Sequence, residues 1–157
     1  MRALLDTNVL VSAVLFDGLP QDLVERAFHG EFELVTSEAM LDELERVLRV
    51  KFARPPTITR ALREELSSLA DVRRPAEITP ASRDPADDMV LAAALDGNVD
   101  SVVTGDRDLL ALGTYEGIRI LTVRQFAALL TDGPAKPGQR PQRSVHAEVS
   151  RPPGTTR

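Results

Sequence analysis

Short apolar runs at Arg2 to Leu5, Phe32 to Val35, Ser101 to Thr104 and Ile118 to Leu121 alternate with longer stretches whose apolar residues recur every three or four positions. Runs of that length read as buried strands, and the longer stretches as helices with one buried side. Val9 to Phe16 is apolar enough for a buried helix, and Gln21 to Phe28 places Leu23, Val24, Ala27 and Phe28 at helical spacing. Ser37 can cap a helix to about Lys51, along which Met40, Leu41, Leu44, Val47 and Leu48 form one stripe. Pro55-Pro56 breaks it, and Thr57 to Val72 resumes helical spacing. Arg73 to Pro80 is expected to hold a short extended piece around Ile78. Asp84-Pro85 is a cap followed by proline at the first helical position, opening a helix to about Leu95 that Gly97 ends. Asp108 to Leu112 reads as a helical turn and Thr122 to Leu130 as the last helix. Connections too long for hairpins imply an α/β chain whose largely parallel sheet is covered on both faces. Ligand sites in such sheets lie beyond the carboxyl ends of the strands, where Asp6 and Asp106 fall.

The pattern stops after Asp132. Residues 1–132 are expected to form one domain, and 133–157, rich in proline, glycine and arginine, a flexible tail. Net charge is −5 overall, but the tail holds Lys136, Arg140, Arg143, Arg151 and Arg157 against Glu148. The tail is therefore +4 and residues 1–132 are −9. So acidic a body repels phosphates unless local basic residues or bound cations reverse the field. Arg83, Arg107, Lys51 and Arg54 could contact phosphates, though each is also explained as a plain surface charge. The absence of cysteine excludes disulfides, zinc thiolates and thiol nucleophiles, and His29 and His146 lie outside any ligand spacing. A metal here must be held by oxygen. With no apolar run of membrane-spanning length and no leader-like start, the chain is expected in the cytoplasm, away from membranes.

Among 24 acidic residues, most are accounted for by caps and solvated faces, and a few are not. Asp6 sits between the apolar Ala3-Leu4-Leu5 and Val9-Leu10-Val11, where a bare charge is costly, although a turn or cap made by Asp-Thr-Asn also explains it. Glu43 borders the buried stripe between Met40 and Val47, whereas Glu38, Asp42 and Glu45 cluster on the other side. In Asp84-Pro85-Ala86-Asp87-Asp88, Asp84 serves as cap and Asp87 as the third-position acid, leaving Asp88, on the face of Leu91, Ala92 and Leu95, without a structural use. Asp106 follows the strand Val102-Val103 and the turn at Gly105, and Asp108 can cap the next turn. Two carboxylates about 5 Å apart repel by roughly 3 kcal/mol at an effective dielectric near 20, so four converging acids need protons or cations between them. Hard oxygen ligands favour Mg2+ or Mn2+, which activate water and stabilise charge on a transferring phosphate. The chemistry expected is phosphodiester hydrolysis. An aspartate-based phosphatase would also place an aspartate after the first strand, but needs a second one two residues on or a site lysine. A non-catalytic binding module would use the acids only as caps.

The motifs Leu4-Leu5-Asp6-Thr7-Asn8-Val9-Leu10, Leu41-Asp42-Glu43-Leu44, Arg83-Asp84-Pro85-Ala86-Asp87-Asp88 and Val103-Thr104-Gly105-Asp106-Arg107-Asp108 occur in this order. Together the set resembles the PIN-domain ribonucleases, especially the small bacterial toxin-type (VapC-like) proteins, over residues 1 to about 131. The resemblance implies a three-layer α/β/α sandwich with a mainly parallel central sheet, metal-dependent cleavage of single-stranded RNA, homodimerisation and a protein antitoxin. It implies Asp6, Glu43, Asp88 and Asp106 as the catalytic, metal-holding quartet, with Asn8, Thr104 and Asp108 in support. Two assignments stay open: Asp87 can replace Asp88 if the helix starts one residue differently, and Asp108 can share the role of Asp106.

Overall fold

The computed structural model describes residues 1–132; the tail expected from residue 133 lies outside the described residues. The first half runs β1 (Arg2–Leu5), α1 (Thr7–Leu15), α2 (Leu19–Phe28), β2 (Glu33–Ser37), α3 (Glu38–Val50), α4 (Pro56–Leu69) and β3 (Asp71–Arg73). The second half runs α5 (Pro85–Asp96), β4 (Ser101–Val103), α6 (Arg107–Leu112), β5 (Thr114–Tyr115), β6 (Ile118–Leu121) and α7 (Val123–Asp132).

Side-chain alternation in the strands divides the core into two layers, because successive residues point to opposite faces. Ala3, Leu5, Leu34 and Val103 face one layer, built with Leu10 of α1, Leu23 of α2, Leu44 of α3, Leu66 of α4 and Phe126 of α7. Leu4, Val35 and Val102 face the other, against Val90, Leu91 and Ala94 of α5 and Leu109 of α6. Each fully buried side chain of this size contributes about 1.5–3 kcal/mol of transfer free energy. The sheet order is β3-β2-β1-β4-β6-β5, parallel throughout except for the β5–β6 pair. The three-layer α/β/α expectation holds.

Chain order reverses at β1, which has β2 on one side and β4 on the other. Helices after these strands lie on opposite faces, so a crevice opens beyond the carboxyl ends of β1 and β4.

Two local expectations are corrected. The helix over Thr57 to Val72 ends at Leu69: Ala70 turns extended, its N–H closing on Leu66 O at 2.8 Å, and Val72 pairs with Thr36 in β3. Ile78, expected in an extended piece, lies outside any strand and is half exposed. The sheet also contains one hairpin. Glu116 and Gly117, both at positive φ (49° and 82°), form the two-residue turn that suits strand twist. Thr114 and Tyr115 are too few to register as a strand by alternation. Among the described residues, no helix is long and apolar enough to cross a membrane.

Candidate active site

Asp6 is held at the end of β1 by three contacts. Its backbone N–H donates to Val103 O at 2.9 Å, tying it to β4. Its Oδ1 accepts the Thr7 N–H at 2.7 Å, capping α1, and its Oδ2 accepts the Thr104 hydroxyl at 2.7 Å. Thr104, fully buried, also accepts the Asp106 N–H on Oγ1 at 3.0 Å. A proton-ordered chain thus runs from the Asp106 amide through Thr104 to Asp6, fixing the two strand ends to one another. Burial raises the Asp6 carboxyl above the usual range, with the nearby Asp106 adding to it, and the Thr104 and Thr7 bonds oppose the rise.

Asp106 is the N-cap of α6, its Oδ1 accepting the Asp108 N–H at 2.8 Å. The cap is therefore Asp106, and Asp108 stands exposed in the first helical turn. Carboxylate oxygens of Asp87, Asp106 and Asp108 all lie within 4.8 Å of one another.

Asp87 and Asp88 part company here. Asp87 shares a stripe with Val90, Leu91 and Ala94, all buried against the sheet, and its side chain lines the cavity beside Asp6 and Asp106. Asp88 shares its stripe with Leu95, which is 40% exposed, and its Oδ1 turns instead to the amides of Ala81 and Ser82 at 2.9 and 2.8 Å. Those bonds hold Asp88 below the usual carboxylate range and anchor the loop entering α5. The expectation that Asp88 points into the site is corrected on geometry: its Oδ1 is held by the Ala81 and Ser82 amides, and it is Asp87 that lines the cavity. Of the two assignments the sequence leaves open, the cavity lining favours Asp87. Asp87 is buried, its Oδ2 has no hydrogen-bond partner among the described residues, and its carboxyl is pushed up to about 6 by burial and by Asp106, Asp84 and Asp6.

Glu43 reaches the same cavity from α3, together with Asn8 of α1 and Asp84, the N-cap of α5. Asp84, which the sequence explains as a cap, is also part of the wall. Arg46 grips Glu43 with two bonds, at 2.6 and 3.0 Å, and with Lys51 keeps its carboxyl below the usual range. The cavity has a volume of about 270 Å3. The structure thus gathers Asp6, Asn8, Glu43, Asp87 and Asp106 around one space, places Thr104 behind Asp6 and Asp108 beside Asp106, and turns Asp88 away.

This donor set fits a hard divalent cation. Every ligand offered is oxygen, burial and then neighbouring acids raise two of the carboxyls, and among the described residues one buried carboxylate oxygen is unpartnered. Burying a carboxylate without a partner is costly, and a cation bound in the cavity offsets that cost directly.

A family model for the PIN domain matches residues 2–108. Among solved structures, the chain is similar to a chain in the crystal structure of VapBC2 from Rickettsia felis bound to a DNA fragment from their promoter. Identity is 13%, the TM-score is 0.55, and the match covers 78% of this chain and 98% of that one, so the likeness is one of fold. No curated protein matches the chain.

Proposed function

The chain belongs to the PIN-domain family, and from that premise we propose that it is a metal-dependent endoribonuclease hydrolysing phosphodiester bonds of single-stranded RNA. Asp6, Glu43, Asp87 and Asp106 are the residues proposed to hold Mg2+ or Mn2+, with Asn8, Thr104 and Asp108 supporting them. The observation carrying this reading is the buried Asp87 Oδ2, unpartnered among the described residues, on a side chain that lines one cavity with Asp6 and Asp106.

The cation, when bound, supplies Lewis acidity: it lowers the pKa of a water and stabilises charge on the scissile phosphate and its leaving oxygen. The protein positions. Thr104 directs its hydroxyl proton to Asp6 Oδ2, leaving the carboxylate only limited freedom to rotate. Asp87, whose carboxyl is pushed up to about 6, keeps a proton below that pH, and above it would offer a carboxylate to a cation beside Asp6, Glu43 and Asp106. Asp106, fixed by its cap bond, lines the cavity, and the exposed Asn8 amide is available to orient the strand. Water, not a side chain, is the nucleophile in this reading, since the site holds no cysteine and the Thr104 hydroxyl is committed to Asp6.

Family resemblance further supports the proposal that the chain is a toxin working as a homodimer beside a protein antitoxin in the cytoplasm.

Strand cleavage of a labelled, unstructured RNA in Mg2+ or Mn2+, with chelator and an Asp6→Asn variant run in parallel, tests the proposal. Cleavage that needs metal and falls by about a hundredfold or more in the variant is expected. Metal-independent cleavage, or equal cleavage by Asp6→Asn, would overturn it.

A further inference from the structure

Residues 46–62 contain five cations, Arg46, Arg49, Lys51, Arg54 and Arg60, and no acid. Residues 1–132 carry −9 in all, so the rest of that body carries −14. In a molecule so acidic, a segment free of negative charge is a local reversal of the field.

Its placement is specific. The segment is the end of α3, the turn into α4 and the start of α4, and every residue from Arg49 to Ile58 is exposed. The turn is fixed in shape: the Lys51 N–H bonds Val47 O at 2.9 Å, the Arg54 N–H bonds Leu48 O at 3.0 Å, Ala53 takes φ 51°, and Pro55-Pro56 follow. Among the described residues, Arg49, Lys51, Arg54 and Arg60 make no ion pair. Between the cations stand exposed apolar side chains: Val50 at 71%, Phe52 at 40% and Ile58 at 50%. Unneutralised cations around an exposed aromatic ring are what a single strand of nucleic acid needs, phosphates on the charges and a base on the ring.

The surface also leads to the cavity. Glu43 lines the cavity wall, Arg46 lies one turn further along α3, and Arg49 and Val50 lie about another turn on, so the stripe spans roughly 10 Å from wall to elbow.

We propose that the α3–α4 elbow is the landing surface for the RNA strand, with Arg49, Lys51 and Arg54 on phosphates, Phe52 under a base, and the strand continuing past Arg46 towards the cavity that Glu43 lines. The choice of RNA rests on the nuclease reading above. The acidic remainder of the body repels the strand, so this surface also sets the direction of approach.

Equilibrium binding of a fluorescent, unstructured RNA 12-mer to the full chain, in chelator so that nothing is cut, tests the surface separately from catalysis. Lys51→Glu with Arg54→Glu is expected to weaken binding by about tenfold or more and to reduce the salt dependence by about 1.4 in log–log slope, two phosphates' worth. Phe52→Ala is expected to weaken binding by about fivefold or more with an unchanged slope. Arg124→Glu, an exposed cation on α7, should have little effect. All these positions are exposed or half exposed, and unfolding midpoints confirm that the variants fold. Elbow variants that bind RNA like the parent overturn the proposal, and leave the nuclease reading intact if the parent still cuts. Elbow variants that lose binding to phosphatidylserine vesicles or to polyglutamate, but not to RNA, overturn it in favour of a membrane or an acidic protein. Elbow-dependent RNA binding by a chain that never cuts upholds the surface and defeats the nuclease.

Discussion

Asp87 couples protonation to folding. An ordinary aspartate titrates near 3.8, and Asp87 in the folded chain near 6. Between those values the folded state keeps a proton that the unfolded chain has released, so this residue's contribution to stability falls as pH rises through about 4 to 6 and is level above. The raised Asp6 acts in the same sense, whereas the depressed Asp88 and Glu43 act in the opposite one. The informative quantity is therefore the difference between parent and variant. In metal-free buffer, Asp87→Asn is expected to be more stable than the parent at neutral pH by roughly 1–3 kcal/mol, the gap closing towards pH 4, in urea unfolding curves. Which of the two adjacent aspartates faces inward was not legible from composition or capping. Both stripes of α5 contain Leu91, and only the packing of Val90 and Ala94 against the sheet, with Leu95 left outside, separates them.

At the scale of elements, α5 is docked by a missing side chain. Gly97 has an ordinary φ of −84°, yet a Cβ there would lie 2.6 Å from Val35 Cγ1 and 3.2 Å from Ala93 O. Val35 is fully buried and has nowhere to move. Gly97→Ala is accordingly expected to destabilise the chain by about 1–3 kcal/mol, read as a lower denaturant midpoint with unchanged slope, rather than to stabilise it as a helix-end alanine otherwise might be supposed to. In sequence Gly97 reads simply as a helix stop. Most helix bounds were legible because caps and breakers are local: Ser37, Asp84-Pro85 and Pro55-Pro56 act where they stand. β3 and β5 were not, since strands of three and two residues exist only through the neighbour they pair with.

At the scale of the whole molecule, the proposed cation site links metal to stability. If the crowded carboxylates form the cation site, binding stabilises the folded chain by about 1.4 kcal/mol per tenfold rise in free metal above the dissociation constant. Thermal unfolding in a Mn2+ titration should show a midpoint rising with the logarithm of concentration. Asp87→Asn should flatten that rise and Asp88→Asn should leave it nearly unchanged; the reverse ranking would return Asp88 to the site. The sequence alone determined the α/β alternation, the uneven charge, −9 over residues 1–132 and +4 over 133–157, the oxygen-only ligand chemistry, and Asp6, Glu43 and Asp106 as candidates, because periodicity, charge and residue type are properties of the chain itself. The tertiary structure alone decided that Asp87 shares their cavity, that Asp88 serves a loop, and that the cations of the α3–α4 elbow are exposed at the end of the helix that carries Glu43. Those depend on the rotation of a helix on a sheet and on which distant residues meet, and both are set by packing between elements.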